Sequence, residues 1–259
     1  GALRNLASEA AHQARMLEQE PEQADTSALA LILAAMRAHP HSARVQEHAC
    51  GCLRNLAEQA EQGGAVLAEA GGVRAVLAAL EGHAWDARVQ EEACGALRHL
   101  AFNRRARELM VREGAVGRVV AAMEQHPWQE GVQLEALGAL RIVALEAGGV
   151  VAEEGGLNGI LLAMAEHVAS AAVQEEGCGA LRNLSAGEEA MRRAIEAAQG
   201  VGAVLVAMKG HAWHAGVQEE ACAALRNLAM EPEGLRRVAR KGAALVVRTA
   251  LKGHPEHAG

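Results

Sequence analysis

Apolar residues recur along this chain in two alternating signatures. The first is a stripe at i, i+3, i+4 and i+7. It is formed by Leu29, Ile32, Leu33 and Met36, then by Val73, Val76, Leu77 and Leu80, and then by Val116, Val119, Val120 and Met123. Two further copies follow, Leu157, Ile160, Leu161 and Met164, and Val201, Val204, Leu205 and Met208. On a helix of 3.6 residues per turn these positions share one side, so each stretch predicts an amphipathic helix with one buried stripe. Gly72, Gly114, Gly156, Gly200 and Gly242 stand just ahead of such stretches and predict a sharp bend there, using the freedom of glycine at positive φ.

The second signature follows each stripe at a fixed distance. RVQEHACGCLRNLA at 44–57 returns as RVQEEACGALRHLA at 88–101, GVQLEALGALRIVA at 131–144, AVQEEGCGALRNLS at 172–185 and GVQEEACAALRNLA at 216–229. Its leading valine steps from Val45 to Val89, Val132, Val173 and Val217, intervals of 44, 43, 41 and 44. Short charged segments such as NRRARELMVREG fill the space between copies and predict a further helix. A unit of this size cannot bury its apolar face alone, so neighbouring units must stack into a continuous core.

Three helices in about 42 residues, with a Gly-bounded apolar helix and a closing ALRNLA, resemble the armadillo repeat, and the resemblance covers nearly the whole chain. HEAT repeats are the nearest rival but have two helices and lack the closing phrase. The resemblance implies an all-α, right-handed α-solenoid of about five to six repeats in a single domain, 1–259. A partial first repeat spans 1–58, full repeats span about 59–101, 102–144, 145–185 and 186–229, and a partial last repeat spans 230–259. Residue 1 enters inside the repeated phrase and Gly259 stops where the next VQEEAC is due, so the array is expected to be truncated at both ends. Arg248 points the other way at the C-terminal end, since it is polar where earlier copies are apolar and terminal repeats are polar on their outer face.

Composition narrows the function. A hydrophobic content of 51% with 22% charged residues excludes disorder, and a net charge of −7 lacks the basic stripe that nucleic acid requires. Phe102 is the sole phenylalanine and there is no tyrosine, so Ala, Leu, Val, Ile and Met must fill the core. Of the five cysteines, Cys50, Cys94, Cys178 and Cys222 share one repeat position, and with Cys52 they read as small core residues in a reducing compartment. No apolar run reaches the length of a membrane span and no signal segment opens the chain, which gives an intracellular, cytoplasmic expectation. No nucleophile elbow, phosphate loop or H-E-x-x-H helix occurs. His48 with Cys52, and His211 with His214, have helical spacing but no completing ligands. The chain is therefore expected to be no enzyme and to need no cofactor or metal.

The resemblance also implies where a partner binds. Third helices of the family line a concave groove, and an Asn on each contacts the backbone of an extended peptide. The matching positions are Asn5, Asn55, His99, Ile142, Asn183 and Asn227. An Asn amide offers a donor and an acceptor, which suits a peptide backbone with no partner strand. Importin alpha-like adaptors carry a Trp four residues earlier, where this chain has Gly51, Gly95, Gly138, Gly179 and Ala223, so nuclear import loses its key residue. The LRNL wording is nearer the beta-catenin branch.

Seven residues before the Asn lie His48, Glu92, Glu135, Glu176 and Glu220, and just before it lies an Arg column of Arg54, Arg98, Arg141, Arg182 and Arg226. One reading is a mixed-charge groove with Gly at its floor for close backbone approach; the other is a ladder of inter-repeat ion pairs that keeps the stack in register. The third copy, with Leu134, Leu137 and Ile142, reads either as an apolar anchor midway along the groove or as drift. His39, His83, His126, His167, His211 and His254 close the second helices and read as C-terminal caps. Arg104, Arg105, Arg107, Arg192, Arg193, Arg236, Arg237, Arg240 and Lys241 form a basic edge that either meets an acidic partner or is simply solvated. The leading expectation is a protein-binding adaptor or scaffold. The alternatives are a structural subunit packed in a larger assembly and, remotely, a non-catalytic part of a longer enzyme.

Overall fold

The structure is a computed structural model that describes residues 28–59 and 63–253. Asn5, the opening GALRNLA phrase and His254 lie outside the described residues. The helices run α1 (Ala28–Ala38), α2 (Ala43–Gln59), α3 (Gly63–Glu69), α4 (Gly72–Gly82), α5 (Ala87–Leu100), α6 (Arg104–Arg112), α7 (Ala115–Gln125) and α8 (Glu130–Glu153). They continue with α9 (Gly156–Glu166), α10 (Ala171–Ser185), α11 (Glu189–Ala197), α12 (Gly200–Gly210), α13 (Ala215–Leu228), α14 (Pro232–Arg240) and α15 (Ala243–Gly253). No strand occurs among the described residues. The fold is the expected all-α solenoid class.

The chain divides into two compact units, Gly1–Ala139 and Leu140–Gly259, and the division falls inside α8. Within the first unit the second helices α1, α4 and α7 stack in succession, and α2 packs on α5. Within the second, α9, α12 and α15 stack likewise, and α10 packs on α13. The stripes supply the contact: Ile32, Val73, Val76, Ile160, Val204 and Met208 are each at most 2% exposed. Leu161 departs from the expected pattern, being only part-buried.

The bends expected at Gly114 and Gly242 stand there, and the other three fall one residue earlier than the sequence reading has them. Positive φ falls on Gly71 (88°), Gly114 (70°), Gly155 (85°), Gln199 (67°) and Gly242 (82°), so Gly72, Gly156 and Gly200 are instead the first helical residues. Close approach explains those three. A Cβ on Gly72 would lie 2.8 Å from the carbonyl oxygen of Leu67, and one on Gly156 would lie 2.6 Å from that of Val151. Gln199 holds the left-handed conformation without being glycine, and its Oε1 accepts a hydrogen bond from Lys241 Nζ at 2.7 Å.

The third helices begin on side-chain caps. Asp86 accepts from the backbone N–H of Arg88 and Val89, Ser170 from Val173, and His214 Nδ1 from Val217. After the third copy the chain kinks at Ala147, where φ is −130° and ψ 38°. α8 is thus two helical stretches that meet at this kink with no separate loop, and the repeat that follows is shorter than the others.

Candidate functional site

The third helices carry the candidate residues, and their spacing sets which ones meet. Stacking on successive helices brings each Arg against the next copy of the motif. In the first unit Arg54 Nη2 donates to Glu135 Oε1 at 2.6 Å, and Nη1 lies 3.8 Å from Glu92 Oε2. Arg98 Nη1 lies 3.4 Å from Glu135 Oε2. In the second unit Arg141 meets Glu176 Oε2 at 3.1 Å and Glu220 Oε1 at 2.5 Å, while Arg182 Nη1 lies 2.8 Å from Glu220 Oε2. An Arg thus serves carboxylates one and two repeats ahead. Arg226 on α13 is exposed.

Glu92, Glu135, Glu176 and Glu220 do not line an open wall; all four are buried, and each lies against at least one guanidinium of the Arg column. Nor is the Gly floor open, because an Arg of the preceding repeat rests on it. A Cβ on Gly95 would lie 3.0 Å from Arg54 Nη1, one on Gly138 2.5 Å from Arg98 Nε, and one on Gly179 2.6 Å from Arg141 Nε. Ala223 replaces this glycine in the last copy. Burial raises the pKa of Glu220 despite the opposing pull of Arg141 and Arg182.

The Asn positions are half-buried and tied to their neighbours. Asn183 Nδ2 donates to the carbonyl of Arg141 at 2.7 Å and Asn227 Nδ2 to that of Arg182 at 3.0 Å. Asn183 Oδ1 accepts from Arg182 Nε at 3.2 Å. Asn55 is half-buried as well. His99 packs its ring against Phe102, centroids 6.3 Å apart, and burial, aided by Arg54 and Arg98, lowers its pKa.

The third-copy anchor is also rearranged. Ile142 and Leu137 are buried in the core and Leu134 is part-buried, whereas Leu145, one turn on, is exposed. Its repeat register, three residues after the Asn position, also carries exposed Phe102 and Met230. An apolar residue at the motif's end, where other copies have Glu58 or Ala186, was the available signal.

A column that the sequence reading passed over is the most regular in the structure. Gln46, Gln90, Gln133, Gln174 and Gln218 are all buried, and each Nε2 donates to two carbonyls at the end of the preceding helix. For Gln90 these are Leu80 and His83, both at 2.9 Å. Its recurrence in all five VQ pairs was the signal. His83, His126, His167 and His211 stand at the helix ends as expected, but in three of them the imidazole bonds the preceding repeat. His83 Nε2 bonds the carbonyl of Pro40 at 2.8 Å, His126 that of Ala84 at 2.7 Å and His211 that of Val168 at 2.8 Å. The preceding repeat's loop offers the nearer acceptor, because Gln already occupies the helix end.

The basic edge is largely paired. Arg105 meets Glu69 and Arg237 meets Glu196, both at 2.5 Å, and Arg192 bonds Glu231. The cysteines are buried except for part-buried Cys222, and burial pushes the thiols of Cys94 and Cys178 up to about 12. Such thiols are poor nucleophiles at neutral pH. Among the described residues no three His, Cys, Asp or Glu side chains are grouped as a metal site would need, and no helix is long and apolar enough to cross a membrane.

The fold has counterparts among known proteins. The family described as LRRK2 ARM repeat matches residues 2–156. No curated protein sequence matches the chain. Among solved structures, an engineered protein superposes with a TM-score of 0.74 at 26% identity over 87% of each chain. A designed armadillo repeat protein in complex with the peptide (KR)4 gives 0.63 at 22% identity, covering 88% of this chain and 99% of that one. A chain from a study of a phosphorylation switch between cadherin and beta-catenin gives 0.70 at 17% identity, covering 97% of this chain and 56% of that one.

Proposed function

The chain belongs to the armadillo-repeat family through its LRRK2 ARM repeat match, and from that premise we propose that it is a protein-binding scaffold whose third-helix faces hold an extended segment of a partner. The observation that carries this reading is the fixed pose of Asn183 and Asn227. Each is half-buried and anchored through Nδ2 to the backbone of the preceding repeat. An amide held this way keeps a preset direction, and a partner's backbone N–H meets the Asn227 carbonyl without first ordering that side chain. Asn55 and His99 take the same register in the first unit, and Ile142 takes it in the second.

In this reading Arg54, Arg98, Arg141 and Arg182, with Glu92, Glu135, Glu176 and Glu220, act at one remove. Their mutual pairing holds the repeats in register, and the half-buried guanidinium groups give the face its charge. The fold is typical of scaffolds and the proposed activity is binding, with no catalytic step and no cofactor. The place of action we infer is inside the cell, where buried thiols stay reduced.

A pull-down tests it. Wild-type chain and an Asn55→Ala, Asn183→Ala, Asn227→Ala variant, checked for folding by circular dichroism, are offered the same extract. A partner held by the first and lost by the second, and then rebound as a synthetic extended segment, supports the reading. Equal capture by both overturns it. One observation favours a second reading, a subunit packed in an assembly: Leu162 and Val206, at the same register on α9 and α12, are 60% and 52% exposed.

A further inference from the structure

The chain has three tryptophans, and none is in the core. Trp85 is 82% exposed, Trp128 71% and Trp213 81%. Each stands two residues after the histidine that ends a second helix, so all three occupy one register in the loop before a third helix. Single exposed apolar residues are ordinary. Placing every Trp at one repeat position, on the surface of a protein whose core is aliphatic, is a pattern of another kind, and Trp is the side chain most enriched where partners bind tightly.

In the first unit two of these loops are joined directly. His126 Nε2 bonds the carbonyl of Ala84, the residue before Trp85, at 2.7 Å, while Trp128 follows His126 by two residues. The same loops gather carboxylates. Asp86 follows Trp85 and caps α5, Glu130 opens α8, and the carboxylate of Glu91 lies over Gly131, where a Cβ would be 2.5 Å from it. Arg88 is the one cation on these two loops and the helix starts beside them. The second unit repeats the arrangement singly, with Glu175 over Gly216 and 3.6 Å from His214 Nδ1, next to Trp213.

We propose that the loop edge carrying Trp85 and Trp128 binds an arginine-rich extended segment of a partner protein, each indole face taking one guanidinium while Asp86, Glu91 and Glu130 supply the counter-charge. An indole with carboxylates beside it suits a planar cation: the π face attracts the guanidinium and its N–H groups bond carboxylate oxygens. The acidic surroundings disfavour an anionic membrane and nucleic acid. Repeats stacked about 8–10 Å apart match a polyproline II segment, whose third residues recur every ~9 Å on one side. The expected ligand therefore carries Arg at every third position. This edge is separate from the Asn face and does not depend on it.

All intrinsic tryptophan emission comes from these loops, so the protein carries its own probe. The test titrates the peptide Arg-Pro-Pro-Arg-Pro-Pro-Arg into the chain at about 0.15 M salt, where distant charges are screened. It follows emission and, with a labelled peptide, fluorescence anisotropy. The proposal expects a saturable change in emission, no change with Glu in place of Arg, and affinity about two- to fivefold weaker for Trp85→Ala and again for Trp128→Ala. Glu91→Gln weakens it further, and the Asn55→Ala, Asn183→Ala, Asn227→Ala variant binds as wild type. Unchanged emission at the highest peptide concentration overturns the proposal. So does anisotropy binding that both Trp variants retain, or emission that shifts with protein concentration alone, which would make this edge a contact between copies.

Discussion

Two neighbouring regions of three repeats treat their side chains in opposite ways. The third-helix face buries carboxylates, with Glu135 at 6% exposure, while the loop that leads into it leaves Trp128 at 71%. Ordinary burial runs the other way. The contrast separates two tasks. A charge sunk between repeats is satisfied only by the Arg of a correctly stacked neighbour, so Glu135, between Arg54 and Arg98, makes register a condition of folding. An indole left in water contributes little to the fold and remains available to a partner.

The largest break in this contrast comes from removing a ladder carboxylate. Glu135→Ala leaves Arg54 and Arg98 without their shared partner and is expected to cost about 3 kcal/mol, read as a lowered urea midpoint by circular dichroism. Gln90→Ala follows at about 2 kcal/mol, since the carbonyls of Leu80 and His83 lose a buried donor. At the other extreme, Trp85→Ala on the exposed loop should move the midpoint by no more than about 0.5 kcal/mol. The emission spectrum of the native chain should also lie close to that of the urea-unfolded chain.

Proton titration separates Glu220 from Glu231 by sign. Burial raises the pKa of Glu220, so its contribution to stability is complete below the unfolded-state value and is lost as pH rises through the folded one. Arg192 holds Glu231 below its ordinary value, so that pair's contribution is present above the unfolded-state value and is lost as pH falls through the folded one. Glu220→Gln should therefore gain on wild type as pH rises from mildly acid to neutral. Glu231→Gln should lose ground over the more acid range. Carboxyl chemical shifts followed by NMR against pH check the order of the two titrations.

Much of this was legible in the sequence because repetition amplifies weak signals. Five copies of one stripe placed α1, α4, α7, α9 and α12, and the recurring VQEEACGALRNLA placed the third helices. What escaped depends on the relation between repeats, which period alone does not specify. Nothing in a single repeat says that Arg98 lies across Gly138, that His126 reaches the carbonyl of Ala84, or that Gln133 satisfies the end of α7. Gly114 and Gly242 hold the bends expected of them, whereas those expected at Gly72, Gly156 and Gly200 fall one residue earlier for a related reason. In Gly71–Gly72 and Gly155–Gly156 both glycines are needed, one for its dihedral angle and one for its missing side chain. The third copy reads either as an apolar anchor or as drift, and packing decides what the sequence leaves open by turning Ile142 inward while leaving Leu145 outside.

The most direct test of the central claim is photo-crosslinking from surface positions whose replacement leaves the ladder intact. A crosslinking residue is placed at Glu219 or Arg226, exposed on third helix α13, and separately at Leu162 or Val206, exposed on second helices. The scaffold account predicts that the partner recovered by pull-down is captured from Glu219 and Arg226 and not from Leu162 or Val206. Capture from the second-helix positions alone would contradict it.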